Sequence, residues 1–354
     1  MKRKYINFLL IFIATLVTWI WWSSNNEVNN TILFLKQNNY YIKDTLISPS
    51  SEACIEKQFL VIIVTSYVGH VELRSIHRRA MPSSLLKSMN ITRIFLLAKI
   101  PPNERYITQE AIKDESRIFD DILQGSFQEN YRNLTYKHLM GLQWASTVCI
   151  PSYILKVDDD IVYNLESTHK LLLEINKSND NLLMGYMLNN TKPRRNKQNK
   201  WYVTWEEYPR NEYPPYLSGW YYITTSKIAA RICEEAIYHP YFWIDDIFVT
   251  GIVPEVLDIK LKQLPKDYWL EYYELLECCL TDMVMKSIQC HYVVGPNGGR
   301  DSLLLEFNEA LRNCDNWKNC TQRTSEKSLK DVCVVNKERN IFSKGNAEVH
   351  FVSL

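Results

Sequence analysis

Apolar and polar positions divide the chain into stretches of different character. Residues Tyr5 to Trp22 carry no charge and follow Lys2, Arg3 and Lys4. Such a run is long enough to cross a hydrocarbon core of about 30 Å. Basic residues on its N-terminal side predict a cytosolic tail over 1–4 and a lumenal or exterior remainder. Trp19, Trp21 and Trp22 suit the headgroup layer. A cleaved signal peptide would need small residues after the apolar core, where bulky Trp stands instead. The expectation is an uncleaved transmembrane signal anchor over 5–22. Residues 23–57 are polar, with much Asn and Ser and no sustained period, as expected of a lumenal stem.

From 58 onward, short apolar runs alternate with amphipathic blocks. Phe59–Thr65 and Ile94–Ala98 are unbroken apolar runs, the pattern of central parallel strands covered on both faces. Residues 72–79 and 104–118 predict helices, and 121–127 a short strand. Tyr131, Leu134, Leu139, Leu142 and Ala145 recur at helical spacing. A strand over 154–162, a helix over 166–176, a strand over 182–186 and a helix over 226–238 follow. Alternation of this kind predicts an α/β layered fold. In such sheets ligands bind beyond the carboxyl ends of the strands.

One strand end carries Asp158-Asp159-Asp160 between apolar flanks. Three adjacent carboxylates at a buried strand end need a counter-charge, and a divalent cation supplies one. On an extended chain Asp158 and Asp160 share a side, and Asp159 faces the other way. A solvated acidic turn is the plainer alternative. Arg74 and Arg78 lie on one face of the helix after the Gly69 loop, an arrangement that suits an anionic ligand or a solvated helix face. The stretch from Trp201 to Tyr222 is crowded with Trp, Tyr and Pro. Aromatic faces beside polar groups grip sugar rings, and Trp201, Tyr216 and Trp220 are candidates for that role. An ordinary aromatic core is the other reading. Asp245-Asp246 forms a second acidic pair in an apolar frame, either a helix cap or a desolvated general base. His291, on an expected strand over 287–294, is either structural or a nitrogen ligand to an Asp-bound metal.

Composition narrows the classes. The 354 residues suffice for one large domain or two small ones, and 46% hydrophobic content allows a sizeable core. A net charge of +1 with no long basic run gives no reason to expect nucleic acid. The nine cysteines fit an oxidising compartment, and their odd number leaves at least one unpaired within the chain. None shows convincing zinc spacing. Sequons at Asn29, Asn90, Asn133, Asn176, Asn189 and Asn319 are N-glycosylation candidates in such a compartment.

Seven short motifs stand in a telling order: Phe59–Thr65, Arg74-x3-Arg78, Tyr131–Lys137, Leu155–Ile161, Trp201–Val203, Tyr213–Gly219 and Asp245–Gly251. Together they resemble the β-1,3-galactosyltransferase / β-1,3-N-acetylglucosaminyltransferase family of Golgi type II hexosyltransferases, glycosyltransferase family 31. The likeness spans about residues 58–300. It implies a GT-A type nucleotide-sugar glycosyltransferase fold, Rossmann-like, over 58–311. Residues 312–354 have no counterpart in the family, and Cys314, Cys320 and Cys333 in polar surroundings predict a disulfide-tied appendage there. The likeness also implies inverting, Mn2+-dependent β-1,3 transfer from UDP-galactose, UDP-GlcNAc or UDP-GalNAc to a glycan on glycoprotein or glycolipid. By the same resemblance Asp160 and His291 would bind metal, Asp158, Arg74 and Arg78 would face the donor, and Asp246 would be the catalytic base. There are departures. The family's Glu-Asp-Val is Asp245-Asp246-Ile247, its Thr-Trp after the arginines is Ala80-Met81, and its Asp before Phe127 is Ser126. A non-catalytic glycan-binding membrane protein on the same scaffold is the alternative expectation.

Overall fold

A computed structural model describes residues 14–23, 45–50, 54, 58–175, 181–266, 268–314, 320–323 and 329–335. Its centre is a mixed sheet in the strand order β1-β4-β3-β2-β5-β8-β7-β9. The strands are β1 (Thr45–Ile47), β2 (Leu60–Thr65), β3 (Ile91–Lys99), β4 (Ile122–Gln128), β5 (Tyr153–Asp158), β7 (Leu183–Leu188), β8 (Tyr216–Thr225) and β9 (Lys262–Gln263). Strands β4, β3, β2 and β5 run parallel, while β8 is antiparallel to β5 and to β7. Apart from the main sheet, β6 (Ile161–Tyr163) pairs antiparallel with β10 (Val294–Pro296).

Alternate residues of the central strands feed two cores. Leu60, Ile62, Val64, Leu155 and Val157 face helices α1 (Val71–Ala80), α4 (Leu165–Ile175), α6 (Tyr273–Lys286) and α7 (Leu303–Asn313). Val61, Ile63, Ile94, Leu96 and Ile154 face α3 (Leu134–Trp144) and α5 (Ser226–Ala236). Burial on both faces is why these strands read as continuous apolar runs. Helix α2 (Gln109–Phe119) begins later than its pattern suggests because Thr108 caps it, its hydroxyl accepting from the Ala111 amide at 3.2 Å.

Several boundaries differ from the sequence expectations. The expected stem is joined to the sheet at Thr45–Ile47, which pairs with β4, and at Cys54, bonded to Cys149. The expected appendage is fastened to α6 by Cys278–Cys333, and Cys279–Cys290 and Cys314–Cys320 complete the described bridges. Buried Cys233 is the free thiol. Residues 287–293 are not a strand; only Val294–Pro296 pairs. The aromatic stretch yields a long strand, β8, and α6 was not foreseen.

Of the expected anchor, residues 14–22 are described and helical, and the others lie outside the described residues. Among the described residues no helix is long and apolar enough to cross a membrane. Asn90 and Asn189 are exposed, whereas Asn29, Asn176 and Asn319 lie outside the described residues. Asn133 is ill suited to a glycan. Its amide donates to the Gln128 carbonyl at 2.8 Å, and buried Thr135 of the same sequon donates to the Phe242 carbonyl.

Candidate active site

A cleft of about 670 Å³ opens at the carboxyl ends of β2 and β5. Its lining includes Thr65, Asp158, Asp160, Trp201, Tyr216, Trp220, Asp245 and Asp246. Asp158, Asp160, Asp246, Trp201, Tyr216 and Trp220 thus share one cleft, at the strand ends where α/β proteins bind ligands.

The acidic triplet is not a continuous strand. Strand β5 ends at Asp158, Asp159 and Asp160 form a turn, and β6 starts at Ile161. The division of faces still holds. Asp159 turns from the cleft to accept a hydrogen bond from His70 at 2.9 Å, and its carbonyl accepts one from buried His77 at 2.9 Å. Its amide donates to the Thr65 carbonyl at 3.1 Å, tying the turn to β2. Enclosure pushes the Asp158 carboxyl up to about 7 despite Lys156 beside it, 2.6 Å away. Lys156 shares its strand face with Asp158 and is fully buried. Burial and the charge of Asp159 raise Asp160 as well. The Asp160 carbonyl accepts from the Asn297 amide at 3.0 Å, which fastens the C-terminal segment to the turn.

Asp246 stands at the start of a short helix, Asp245–Ile247, packed against β8. Enclosure and the neighbouring charge of Asp245 push it up to about 7. Its carboxylate accepts from the Ile247 amide at 2.8 Å. Gly219 lets the backbone of β8 approach, for a Cβ there would stand 3.1 Å from the Asp246 Cβ. Asp245 behaves oppositely. Burial opposes its charge, but the hydrogen bond from His138 at 3.1 Å and the charge of Lys156 hold it below the usual carboxylate range. The other ring nitrogen of His138 meets the Tyr222 hydroxyl at 2.5 Å. Adjacent acids thus have separate environments, one held charged by a partner and one left basic in the cleft.

Aromatic groups form the remaining walls. Trp220 stacks on Trp269, and Trp269 on Tyr186, with centroids 5.3 and 4.7 Å apart. Trp201 donates its indole N–H to the Tyr131 hydroxyl at 2.8 Å. Trp201, Tyr216 and Trp220 all line the cleft.

Three expected site residues are elsewhere. Arg74 is fully buried, and its guanidinium is engaged by Glu115, by the Ser66 hydroxyl and by the Tyr67 and Val68 carbonyls. It shapes the loop after β2 and has no donor left for a ligand. Arg78 pairs with Asp121 and Glu115 and lies over the Phe119 ring at 3.9 Å. Neither arginine lines the cleft. His291 is exposed and also outside the lining. Antiparallel pairing sets Val294 opposite Tyr163 and Asn297 beside Asp160, so the chain runs away from Asp160 toward His291. The reading of the residues missed Lys156, Gly219 and Asn297. Lys156 was detectable, since its position two before Asp158 puts both on one strand face.

A hard divalent ion fits this donor set. Asp158 and Asp160 are crowded carboxylates with one buried lysine to balance them, so each resists ionisation. Among the described residues no three His, Cys, Asp or Glu side chains converge on one point. Asp158 and Asp160 suit an ion held by one or two carboxylates together with substrate phosphates. The unpartnered, buried Thr65 hydroxyl at the end of β2 is a further polar group awaiting a ligand.

The chain is 33% identical over 258 residues to human beta-1,3-galactosyltransferase 2, covering 72% of this chain and 60% of that protein. To mouse beta-1,3-galactosyltransferase 1 it is 32% identical over 194 residues, covering 54% and 58%. It therefore spans less than two thirds of the length of these curated relatives. Among solved structures, galactosyltransferase LgtC in complex with donor and acceptor sugar analogues aligns at 9% identity over 59% of this chain and 74% of that one. Its TM-score of 0.30 is too low to bear on function. The Galactosyltransferase family profile matches residues 74–265, a span that contains Asp158, Asp160, Asp246 and all three aromatic wall residues. With more than half of its length matched in this way, the chain belongs to the galactosyltransferase family.

Proposed function

We propose that this chain is an inverting, UDP-sugar-dependent β-1,3-hexosyltransferase of GT-A type. The donor is UDP-galactose, UDP-GlcNAc or UDP-GalNAc, and the acceptor is a glycan on glycoprotein or glycolipid. The enzyme is a single-pass type II Golgi membrane protein with its catalytic part in the lumen. Family membership supports the reaction class, and the charge-free run over 5–22 after three basic residues supports the anchor.

One observation carries the chemistry. Asp246 lies on the same cleft as Asp158 and Asp160, yet it is pushed up to about 7 while its neighbour Asp245 is held charged. A carboxylate of that basicity suits proton abstraction near neutral pH. Asp246 takes the proton of an acceptor hydroxyl held against Trp201, Tyr216 and Trp220. The freed oxygen attacks the anomeric carbon from the side opposite UDP. The bond to the diphosphate breaks, and an α-linked donor becomes a β-linked product. Asp160, with Asp158 beside it, would hold Mn2+. When bound, that ion neutralises charge on the departing diphosphate. A module that only binds glycans would have no use for a base poised in this way.

The test separates the two acidic sites. Asp246→Asn should lose transfer by at least about a thousandfold and retain Mn2+-dependent UDP binding, read by titration calorimetry. Asp160→Asn should lose both. Transfer by Asp246→Asn at the rate of the unaltered enzyme would overturn the assignment of the base.

A further inference from the structure

The cleft is rich in acids, yet one stretch of its rim is basic. Arg194 and Lys200 both line it. Neither has a carboxylate within ion-pair distance among the described residues, whereas neighbouring Lys192 pairs with Glu212 at 3.6 Å. Both belong to the segment between β7 and β8, which is firmly tied down. Arg195 donates to the carbonyls of Val203, Thr204 and Tyr208 at 2.9, 2.6 and 2.7 Å. The Arg194 carbonyl accepts from the Val203 amide at 2.9 Å.

Lys200 Nζ lies 4.2 Å from the centre of the Tyr131 ring. Arg194, Lys200, Tyr131, Tyr216 and Asp246 all line the same cleft. Tyr216 belongs to the aromatic wall proposed for the acceptor, Tyr131 holds Trp201 of that wall by its hydroxyl, and Lys156 already serves the acidic turn. We propose that Arg194 and Lys200 bind an acidic group on the acceptor, a carboxylate or sulfate carried by the sugar that receives the hexose or by the next one. The guanidinium is suited to a forked pair of hydrogen bonds with such a group, and the ammonium to a point contact. Pre-ordering of the loop by Arg195 lowers the cost of that recognition. This inference rests on the transferase reading and names the acceptor class for the same site.

Three p-nitrophenyl acceptors test it with the full-length enzyme: an uncharged galactoside, its 6-sulfate and the corresponding galacturonide. The donor is an uncharged UDP-hexose, so an acidic donor sugar is not a competing source of the charge. The expected result is a kcat/KM about tenfold or more higher for at least one acidic acceptor, mainly through KM. The preference should shrink with added salt. In the double variant Arg194→Ala/Lys200→Ala the ratio of acidic to neutral kcat/KM should fall toward one, and Arg194→Lys should restore part of it. Equal use of all three acceptors by the unaltered enzyme overturns the inference and leaves the transferase reading standing. A ratio that survives in the double variant overturns the residue assignment. Failure to transfer to any acceptor from any UDP-hexose overturns the transferase reading, and this inference with it.

Discussion

Asp246 can accept a proton only while it lacks one. With its carboxyl pushed up to about 7, the charged form dominates above that pH and is lost below it. In a pH profile, kcat/KM should fall about tenfold per unit as pH drops below about 7, because this ratio reports the free enzyme. His138 adds a second residue-scale expectation. Burial pulls its imidazole below the usual histidine range, so it stays neutral and partners Asp245. Gly219 supplies a third. A methyl group there would press on the Asp246 Cβ from 3.1 Å, and small displacements of a base are costly. Gly219→Ala should lower kcat about tenfold or more while leaving the circular dichroism spectrum unchanged.

Elements hold these residues at their stations through buried ion pairs. Arg74 on α1 reaches Glu115 on α2 at 2.7 Å and clasps the loop after β2. Removing Arg74 leaves buried Glu115 with Arg78 as its remaining cation and takes the donor from the Tyr67 and Val68 carbonyls. Arg74→Met should therefore destabilise the fold by about 3–5 kcal/mol, read from the denaturant midpoint. Burial opposes the charge on Glu115, but Arg74 and Arg78 hold its pKa below the usual range. Its stabilising contribution is full above the unfolded-state value and fades as acid takes the pH down through the lower folded value. The elements themselves were largely legible in the sequence, because a strand buried on both faces and an amphipathic helix leave plain periodic signals. Partners of charged side chains left no such signal. Arg74 and Arg78 looked like a basic face for a ligand, and only the return of Glu115 and Asp121 from distant positions shows that they are engaged. His291 was misplaced for a similar reason. Residues 287–293 have an apolar, strand-like composition, but the disulfide Cys279–Cys290 and the pairing of Val294 with Tyr163 set the course of the chain. That Asp160 and Asp246 stand out from their apolar frames was, by contrast, legible in the local pattern, since burying carboxylates is costly, and both lie on the cleft.

The whole molecule is closed by long-range bonds that join its early and late parts. Cys54–Cys149 spans 95 positions and ties the segment before β2 to the end of the helical stretch after α3. Replacing both cysteines by alanine should lower stability by about 2–4 kcal/mol, measured as a shift in the unfolding midpoint. At the other end, α7 packs on α1, and Arg312 donates to the Ala80 carbonyl at 2.8 Å. The family match stops at residue 265, yet the cleft draws Glu271, Tyr272, Pro296 and Asn297 from beyond it. The Asn297 amide on the Asp160 carbonyl is the most direct of these ties. The profile-matched span and the cleft therefore have different borders. A chimera that exchanges only the matched span with a relative would cut through the floor of the cleft. A splice point after α7 would carry the aspartate turn and its clasp across together.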